Sequence, residues 1–106
     1  MILEVASLMV RPGEQPAFER AFARAEPLFR DAAGYLSHEL RRSVENEHHY
    51  ALLIEWRRLE DHTMAFRRSH AFERLRDLLQ GFLLTAPDVE HFQAVAMPSS
   101  GLHLAD

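Results

Sequence analysis

The first third of the chain changes from a strand-like to a helical pattern of apolar positions at residues 11–13. Residues 2–10 form an apolar run suited to a β-strand, which stops at the turn sequence Arg11-Pro12-Gly13. Beyond this turn the apolar residues recur every three or four positions, as on one face of a helix: Phe18, Ala21, Phe22, Ala25, Leu28, Phe29 and Ala32. The pattern predicts a strand over residues 2–10 and then a helix that is closed by Gly34.

Two further strands are predicted in the middle of the chain. Residues 35–43 read as a polar strand with partial alternation, and residues 49–57 give the strongest strand pattern. Alternate residues of a strand point to opposite faces, and both faces of this strand are mostly apolar. One face carries Tyr50, Leu52, Ile54 and Trp56, and the other carries Ala51, Leu53 and Glu55. We therefore expect residues 49–57 to form a central strand that is covered on both sides.

The last third returns to helical periodicity and then to a strand. A short helix over residues 60–67 precedes a longer one over residues 70–84, which Ser69 can cap. The longer helix has an apolar stripe made of Phe72, Leu75, Leu78, Leu79 and Phe82. Residues 89–97 have strand character. The tail over residues 98–106 is rich in turn residues, and either it is loose or it docks on a neighbour through Leu102 and Leu104.

The order of these elements predicts the fold class. Strand, helix, two strands, helix and strand form the β-α-β-β-α-β arrangement of ferredoxin-like α+β domains with an antiparallel sheet, and we place one domain over residues 1–97. The two helices cover only one face of such a sheet. A second copy of the chain is the simplest cover for the other face, through a two-fold contact. We therefore expect a homodimer that forms a dimeric α/β barrel.

The composition excludes several partners and several kinds of chemistry. The formal net charge of −4 leaves no basic field that would attract nucleic acid or an anionic membrane surface. All 12 basic residues are arginines, which excludes a Schiff base on lysine, and the absence of cysteine excludes thiolate nucleophiles and disulfides. No apolar stretch approaches the length of a membrane span. We expect a cytoplasmic protein with no nucleic-acid or membrane partner.

Several landmarks, taken in order and spacing, resemble the antibiotic-biosynthesis monooxygenase family. They are the opening strand ending in Arg11-Pro12-Gly13, the helix rich in phenylalanine and alanine, Gly34-Tyr35-Leu36-Ser37, Ile54-Glu55-Trp56, Ser69-His70-Ala71-Phe72, and the final strand after Pro87. The resemblance covers the chain from about Ile2 to Val95. It implies the same fold and dimeric barrel, but it says less about the reaction because members share their fold more than their chemistry.

The resemblance also implies a function. Some members oxidise aromatic polyketides or quinols with molecular oxygen and use neither metal nor flavin, whereas others degrade haem. Trp56 matches a tryptophan beside the substrate pocket of the aromatic oxygenases, but Leu52 stands where they have an asparagine. The residues that the haem branch requires are missing at the matching positions, which are Ala6, Phe66 and Arg76. We expect a cofactor-independent monooxygenase that acts on a small aromatic, quinol or polyketide-like substrate.

Two histidines are candidates for the base that such an oxidation requires. A base must remove a phenolic or enolic proton so that the anion can donate an electron to oxygen, and histidine suits this role at neutral pH. His70 comes first, because the family often has a histidine there and a helix N-terminus favours the neutral ring. The alternative for His70 is a partly exposed histidine near the cap. His62 could face the pocket beside Trp56 or point to solvent.

Four residues are candidates for contacting the substrate: Trp56, Tyr35, His38 and Phe66. The ring of Trp56 could stack on a planar substrate and donate one hydrogen bond, or it could simply pack in the core. His38 could point into the pocket or toward the dimer interface, and Phe66 has the spacing of a core residue. No metal site is expected, because the neighbouring residues His48 and His49 point to opposite faces of a strand.

A different class of function is the main alternative to catalysis. The chain could be a non-catalytic dimeric barrel that binds a small hydrophobic metabolite, a reading that Leu52 favours because it replaces the family asparagine. An isomerase or lyase with a single histidine base is a third possibility. Arg67 and Arg68 could bind an anionic substrate at the mouth of the pocket, although such pairs usually lie on a solvated face.

Overall fold

Four strands and two α-helices follow one another in the predicted order. The computed structural model describes residues 1–97, and its strands are β1 (Ile2–Met9), β2 (Tyr35–Arg42), β3 (His49–Trp56) and β4 (Asp88–Phe92). The α-helices are α1 (Gln15–Arg30) and α2 (His70–Leu79), with a short π-helix at Asp61–Phe66 and a 3-10 helix at Gln80–Phe82. No helix in this part of the chain combines the length and apolar character of a membrane span. The predicted tail over 98–106, with Leu102 and Leu104, lies outside the described residues.

The strands form one antiparallel sheet in the order β2-β3-β1-β4. β1 pairs with β3 from Ile2 opposite Trp56 to Met9 opposite His49, and β4 pairs with the other edge of β1. This order is that of ferredoxin-like domains, so the fold class predicted from the sequence is confirmed. The sheet of the single chain is open and is not closed into a barrel.

One face of the sheet packs against the helices and forms the core. Along β3 the even-numbered residues are buried and the odd-numbered residues are half-buried, as the alternation of strand side chains requires. The largest fully buried side chains are Val10, Phe18, Phe29, Tyr50, Ile54 and Trp56. The opposite face, called here the outer face, carries half-buried apolar side chains from β1 and β3: Leu3, Val5, Met9, Ala51 and Leu53. The expected cover of the outer face by a second copy stays a prediction.

The turn between α1 and β2 depends on Gly34. Its φ is +83°, a left-handed conformation that glycine adopts without strain, and a Cβ at this position would overlap the carboxylate of Asp61. Asp61 is buried and accepts a hydrogen bond from the backbone N–H of Arg58 at 3.0 Å. The N–H of Arg57 donates to the carbonyl oxygen of Gly34 at 2.7 Å. These contacts hold the start of the π-helix against the start of β2.

Two of the predicted elements are shorter than expected. α2 ends at Leu79 instead of continuing to residue 84, because the chain tightens into the 3-10 helix and Leu83 then pairs with Val10 at the end of β1. β4 spans Asp88–Phe92 instead of residues 89–97, because Phe92 already pairs with Leu3 and β1 begins one residue before it. In both places the position of β1 determines where the element ends.

Candidate active site

A cavity of about 290 Å³ opens between the helix-covered face of the sheet and α2. β1 contributes Glu4, Ala6 and Leu8 from its core-facing side, and β3 contributes Leu52. The rest of the apolar wall comes from α2 and the chain from there to β4: Phe72, Leu75, Leu79, Leu83, Ala86, Pro87 and Val89. The polar lining consists of Glu4, His62, Arg67, Arg76 and Gln80. An apolar cavity with a few polar groups has the character of a small-molecule site.

Glu4 is a buried acid on the wall of this cavity. Its side chain lies on the core-facing side of β1, the residue is 5% exposed, and Oε1 accepts a hydrogen bond from the indole Nε1 of Trp56 at 2.9 Å. Burial raises the pKa of Glu4 to about 6, although the hydrogen bond from Trp56 and the positive charge of Arg67 both act to lower it. Both protonation states of this carboxyl group are therefore accessible near neutral pH.

The second carboxylate oxygen of Glu4 is the atom that a ligand can reach. Oε2 has no hydrogen-bond partner among residues 1–97, where Oε1 accepts the bond from Trp56. Every side-chain oxygen or nitrogen that is fully buried in the same part of the chain has a hydrogen-bond partner. Because Oε2 has none, it is not fully buried. Since Glu4 lines the cavity, Oε2 is open to it, and a ligand hydroxyl could donate a hydrogen bond or a proton there.

His62 is buried beside Glu4, which rules out the solvated alternative for this residue. It is 3% exposed, and its ring stacks on that of Trp56 with centroids 5.4 Å apart. Its Nε2 lies 3.4 Å from Oε1 of Glu4, and its Nδ1 lies 2.8 Å from Nε2 of His91. Burial lowers the pKa of His62 to about 4, and the nearby His91 and Arg67 act in the same direction. The ring is neutral at pH 7 and works as a hydrogen-bonding group, not as a cation.

Trp56 lies behind the cavity wall and positions Glu4. The residue is completely buried and does not line the cavity. One side of its ring meets His62, and Phe66 packs against it with centroids 5.4 Å apart. The sequence predicted Trp56 and Phe66 as substrate contacts, and the structure brings both to the site as the layer that supports Glu4 and His62.

Tyr35 and His38 form a separate hydrogen-bonded chain. Tyr35 Oη lies 2.6 Å from His38 Nδ1, and His38 Nε2 lies 2.5 Å from Oε2 of Glu26 on α1. A β-bulge between Tyr35 and Ser37 adds one residue to β2, so that both side chains point to the helix-covered face. Neither residue lines the cavity. The two predicted polar contacts are thus hydrogen-bonded to each other and not to Glu4 or His62, although the ring of Tyr35 packs edge-on against Trp56 with centroids 6.4 Å apart.

His70 lies outside the cavity, in the first turn of α2. Its side chain is 99% exposed, and its Nδ1 is 3.0 Å from a carboxylate oxygen of Glu73. Ser69 caps the helix as predicted, since its Oγ accepts a hydrogen bond from the N–H of Phe72 at 3.2 Å. Phe72 lines the cavity and His70 does not. The structure therefore separates the two histidines that were candidates for the base.

Glu4 and His91 both lie next to His62 and were not among the residues predicted from the sequence. The signal for Glu4 was available: it is an acid at a core-facing position of an alternating strand, on the same side as Ala6 and Leu8. Burying a carboxylate is costly unless it has a partner, so an acid in this place indicates a hydrogen-bonded site. His91 gave a weaker signal, because polar and apolar residues do not alternate clearly in the sequence of β4, Asp-Val-Glu-His-Phe.

The arrangement is suited to moving a proton. Glu4 offers an acceptor with a pKa of about 6, the neutral ring of His62 offers a hydrogen bond beside it, and most of the wall around them is apolar. Leu52 adds apolar surface only. Within residues 1–97, no three side chains of His, Asp or Glu are grouped so that they could hold a metal ion.

Comparison with known sequences identifies proteins that are similar over most of the chain. A family model described as antibiotic biosynthesis monooxygenase matches residues 1–78. The uncharacterized protein YczJ of Bacillus subtilis (strain 168) is 42% identical over 95 residues, which are 90% of this chain and 100% of that protein. The family-model match includes β1, β3 and the π-helix, which carry Glu4, Trp56 and His62.

Comparison with solved structures gives the same assignment. A protein of Bordetella bronchiseptica with the same family designation superposes with a TM-score of 0.86 at 37% identity, over 90% of this chain and 97% of that one. SnoaB, a cofactor-independent oxygenase from Streptomyces nogalater, superposes with a TM-score of 0.78 at 20% identity, over 92% and 95% of the two chains. This chain belongs to the antibiotic biosynthesis monooxygenase family.

Proposed function

We propose that the protein is a cofactor-independent monooxygenase that oxidises a small aromatic, quinol or polyketide-like substrate with molecular oxygen in the cavity beside Glu4. The observation that carries this proposal is the buried carboxyl group of Glu4, which has a pKa of about 6 and an oxygen open to an apolar cavity. A general base is most effective when its pKa lies near the working pH. The likeness to SnoaB supports the fold, and the family supports oxygenase chemistry in general terms.

The proposed reaction begins with proton transfer to Glu4. Oε2 takes the proton of a phenolic or enolic hydroxyl group, and His62 donates a hydrogen bond to the resulting anion when its proton is on Nε2. The anion gives one electron to oxygen, and the carbon radical and superoxide combine in a new C–O bond. The resulting peroxide anion takes the proton back from Glu4 and becomes a hydroperoxide. For a substrate with a reactive CH₂ group, the hydroperoxide then breaks its O–O bond and releases water. The CH₂ group becomes C=O, and the two atoms of O₂ end in the product and in that water.

Trp56 acts as a positioning residue in this proposal. It holds Oε1 of Glu4 through the indole N–H, so that Oε2 is presented to the cavity. It also stacks on His62, which fixes the plane of that ring. Groups that are already oriented lower the barrier because no reorganisation is needed when charge develops on the substrate.

Oxygen uptake with a panel of naphthohydroquinones and anthrones tests the proposed function. The wild type should consume oxygen faster than a control without protein, Glu4→Gln should lose most of that rate, and Glu45→Gln should retain it because Glu45 is exposed in a loop. His70→Ala tests His70, a base predicted from the sequence, against Glu4. Loss of activity in His70→Ala together with full activity in Glu4→Gln would assign the base to His70, and no uptake with any substrate would contradict oxygenase activity.

Leu52 favours a second candidate function, which is binding without catalysis. It lies on the cavity wall and offers no polar group where the family oxygenases have an asparagine. A dimeric barrel with this lining could bind a small hydrophobic metabolite. Tight binding of a quinone with no oxygen uptake in the same preparation would support this function in place of the first.

We further propose that the protein works as a homodimer in the cytoplasm. The apolar outer face, with Leu3, Val5 and Leu53 on its two central strands, offers a surface that a second copy can cover. The absence of cysteine from the sequence suits a reducing compartment.

A further inference from the structure

The side chains that line the cavity carry a positive net charge, whereas the net charge of the whole chain is negative. The chain has 16 acidic and 12 basic residues and a net charge of −4. The cavity is lined by two arginines, Arg67 and Arg76, and by one acid, Glu4. His62 is neutral at pH 7, because burial lowers its pKa to about 4. The space that would hold a ligand is therefore positive in an acidic protein, which favours an anionic ligand.

Arg67 is held at the edge of the cavity by packing. Its backbone N–H donates to the carbonyl oxygen of His62 at 3.0 Å, at the end of the π-helix. Its guanidinium lies over the ring of Phe72, 5.8 Å from the ring centroid, and Phe72 lines the cavity. The positive charge of Arg67 also lowers the pKa of Glu4, His62 and His91, so its field reaches the polar end of the cavity.

Arg76 approaches the same cavity from the next turn of α2. Phe72 and Arg76 are four residues apart on this helix and both line the cavity, with Leu75 between them. Within residues 1–97, neither Arg67 nor Arg76 has a carboxylate within 4.0 Å, whereas Arg30, Arg41, Arg42 and Arg58 each have one. Two arginines without acidic partners in this part of the chain thus line the cavity, and the guanidinium group of Arg67 lies over the ring of Phe72.

We propose that the natural ligand of this cavity is a planar aromatic carboxylate whose carboxylate group binds Arg67 and Arg76 and whose ring packs on Phe72. A guanidinium group binds a carboxylate through two parallel hydrogen bonds, and these are stronger than bonds between neutral groups. The volume of about 290 Å³ is near the lower bound of roughly 300–1,000 Å³ for ligand cavities, which suits a molecule of one or two rings.

The orientation of the ligand follows from the positions of the charges. Glu4 repels a carboxylate when it is ionised, so the acidic end of the ligand lies with the two arginines and a hydroxyl group at the other end lies near Oε2 of Glu4. This proposal rests on the proposed function for the role of that hydroxyl group and deepens it by naming the substrate class. The binding of the carboxylate itself does not depend on oxidation.

Binding of two naphthalene probes tests the proposal. 6-Hydroxy-2-naphthoate has a hydroxyl group and a carboxylate at opposite ends, and 2-naphthol lacks the carboxylate. We expect the dissociation constant of the naphthoate, measured by calorimetry without oxygen, to be roughly tenfold lower than that of the naphthol, as for one hydrogen-bonded charged group. Equal dissociation constants for the two probes would overturn the proposal.

Four arginine variants separate a local site from a general effect of charge. Arg67→Gln and Arg76→Gln should each weaken naphthoate binding several-fold and leave naphthol binding unchanged. Arg68→Gln and Arg74→Gln are matched controls, because both residues are exposed on the same segments and do not line the cavity. An equal loss in all four variants would show an effect of net charge only and would overturn the proposal. Since the four side chains are exposed, the variants should fold, and circular dichroism checks this.

Salt and turnover complete the test. Naphthoate affinity should fall between 0.05 M and 0.5 M NaCl, because exposed charges are screened over a shorter distance, and naphthol affinity should not. If the naphthoate binds through the two arginines but no hydroxylated aromatic acid is oxidised, the ligand class stands and the oxygenase function fails. If neutral quinols are oxidised and carboxylates show no preference in binding, only the ligand class fails.

Discussion

The indole N–H of Trp56 donates a hydrogen bond to Oε1 of Glu4 at 2.9 Å, across the pairing of β3 with β1. This contact joins a fully buried aromatic ring to the acid that faces the cavity. It leaves one carboxylate oxygen for a ligand and fixes the direction in which that oxygen points.

Glu4→Gln should abolish most of the oxidation without removing the acceptor for Trp56. Loss of a general base typically lowers kcat by about 10²- to 10⁴-fold. In the wild type the rate should rise with pH and reach half of its plateau near pH 6, because Glu4 must be ionised and its pKa is about 6. Initial rates of oxygen uptake between pH 5 and 8 check this. A wild-type profile that is flat through pH 6 would contradict the role of Glu4.

The same substitution should stabilise the fold at neutral pH. The pKa of Glu4 is raised from 4.5 to about 6, so the folded state holds the proton more tightly and stability falls as the pH rises from 4.5 to 6. Above pH 6 the ionised Glu4 lowers the free energy of unfolding by its full amount, which is about 2 kcal/mol. Urea unfolding should show Glu4→Gln gaining stability relative to the wild type over this interval. Glu45→Gln is the control and should show no such change.

His62 should make the fold sensitive to acid. Its pKa is lowered from 6.5 to about 4, so the unfolded chain binds a proton that the folded chain does not. The contribution of His62 to the free energy of unfolding is therefore fully present above pH 6.5. This free energy falls by about 3 kcal/mol as the pH decreases toward 4. His62→Phe keeps an aromatic ring against Trp56 and removes this titration. Between pH 6.5 and 4.5 its free energy of unfolding should decrease less than that of the wild type. Identical decreases would show that His62 does not cause the acid sensitivity.

Tyr35→Phe should affect stability and not ligand binding. The hydroxyl group of Tyr35 bonds to His38, whose side chain is 10% exposed, and losing one such bond costs about 1 kcal/mol. KM for any oxidised substrate should stay unchanged because Tyr35 does not line the cavity. Urea unfolding and substrate titration measure the two effects. A raised KM with unaltered stability would return Tyr35 to the substrate contacts predicted from the sequence.

Leu53→Asp should dissociate the proposed homodimer. Leu53 lies on the outer face of the central strand β3, where a charge would be buried against a second copy. Light scattering after gel filtration should give about twice the chain mass of 12.3 kDa for the wild type and the single mass for the variant. Val44→Asp, at a loop residue that is 93% exposed, should stay dimeric. A wild type of single mass at micromolar concentration would contradict the homodimer.

Much of the fold could be predicted because the spacing of apolar residues within each segment indicates a strand or a helix. The alternation over residues 49–57 identified the central strand, and the three- and four-residue spacing after Gly13 identified α1. The ends of α2 and β4 could not be read in this way. They depend on where the chain meets β1, which is distant in sequence, through Leu83 with Val10 and Phe92 with Leu3.

The site was harder to predict because its residues interact across the sheet. Trp56 and His62 were identified as candidates from the sequence, and the structure places them together. Their acidic partner Glu4 lies 52 residues before Trp56 in the sequence and meets it only through the register of β1 with β3. His70 shows the limit of a local argument: a position at a helix N-terminus does not determine whether the side chain faces a cavity or solvent.

The absence of a side chain at Gly34 has consequences at a distance from its own turn. The carboxylate of Asp61 occupies the space that a Cβ would fill, and the imidazole that faces the cavity belongs to the next residue, His62. A methyl group at position 34 would push this segment of backbone outward and carry the imidazole with it. A screen of random variants scored by turnover would therefore rank position 34 among the residues that touch the substrate, although it acts only as a spacer beneath them.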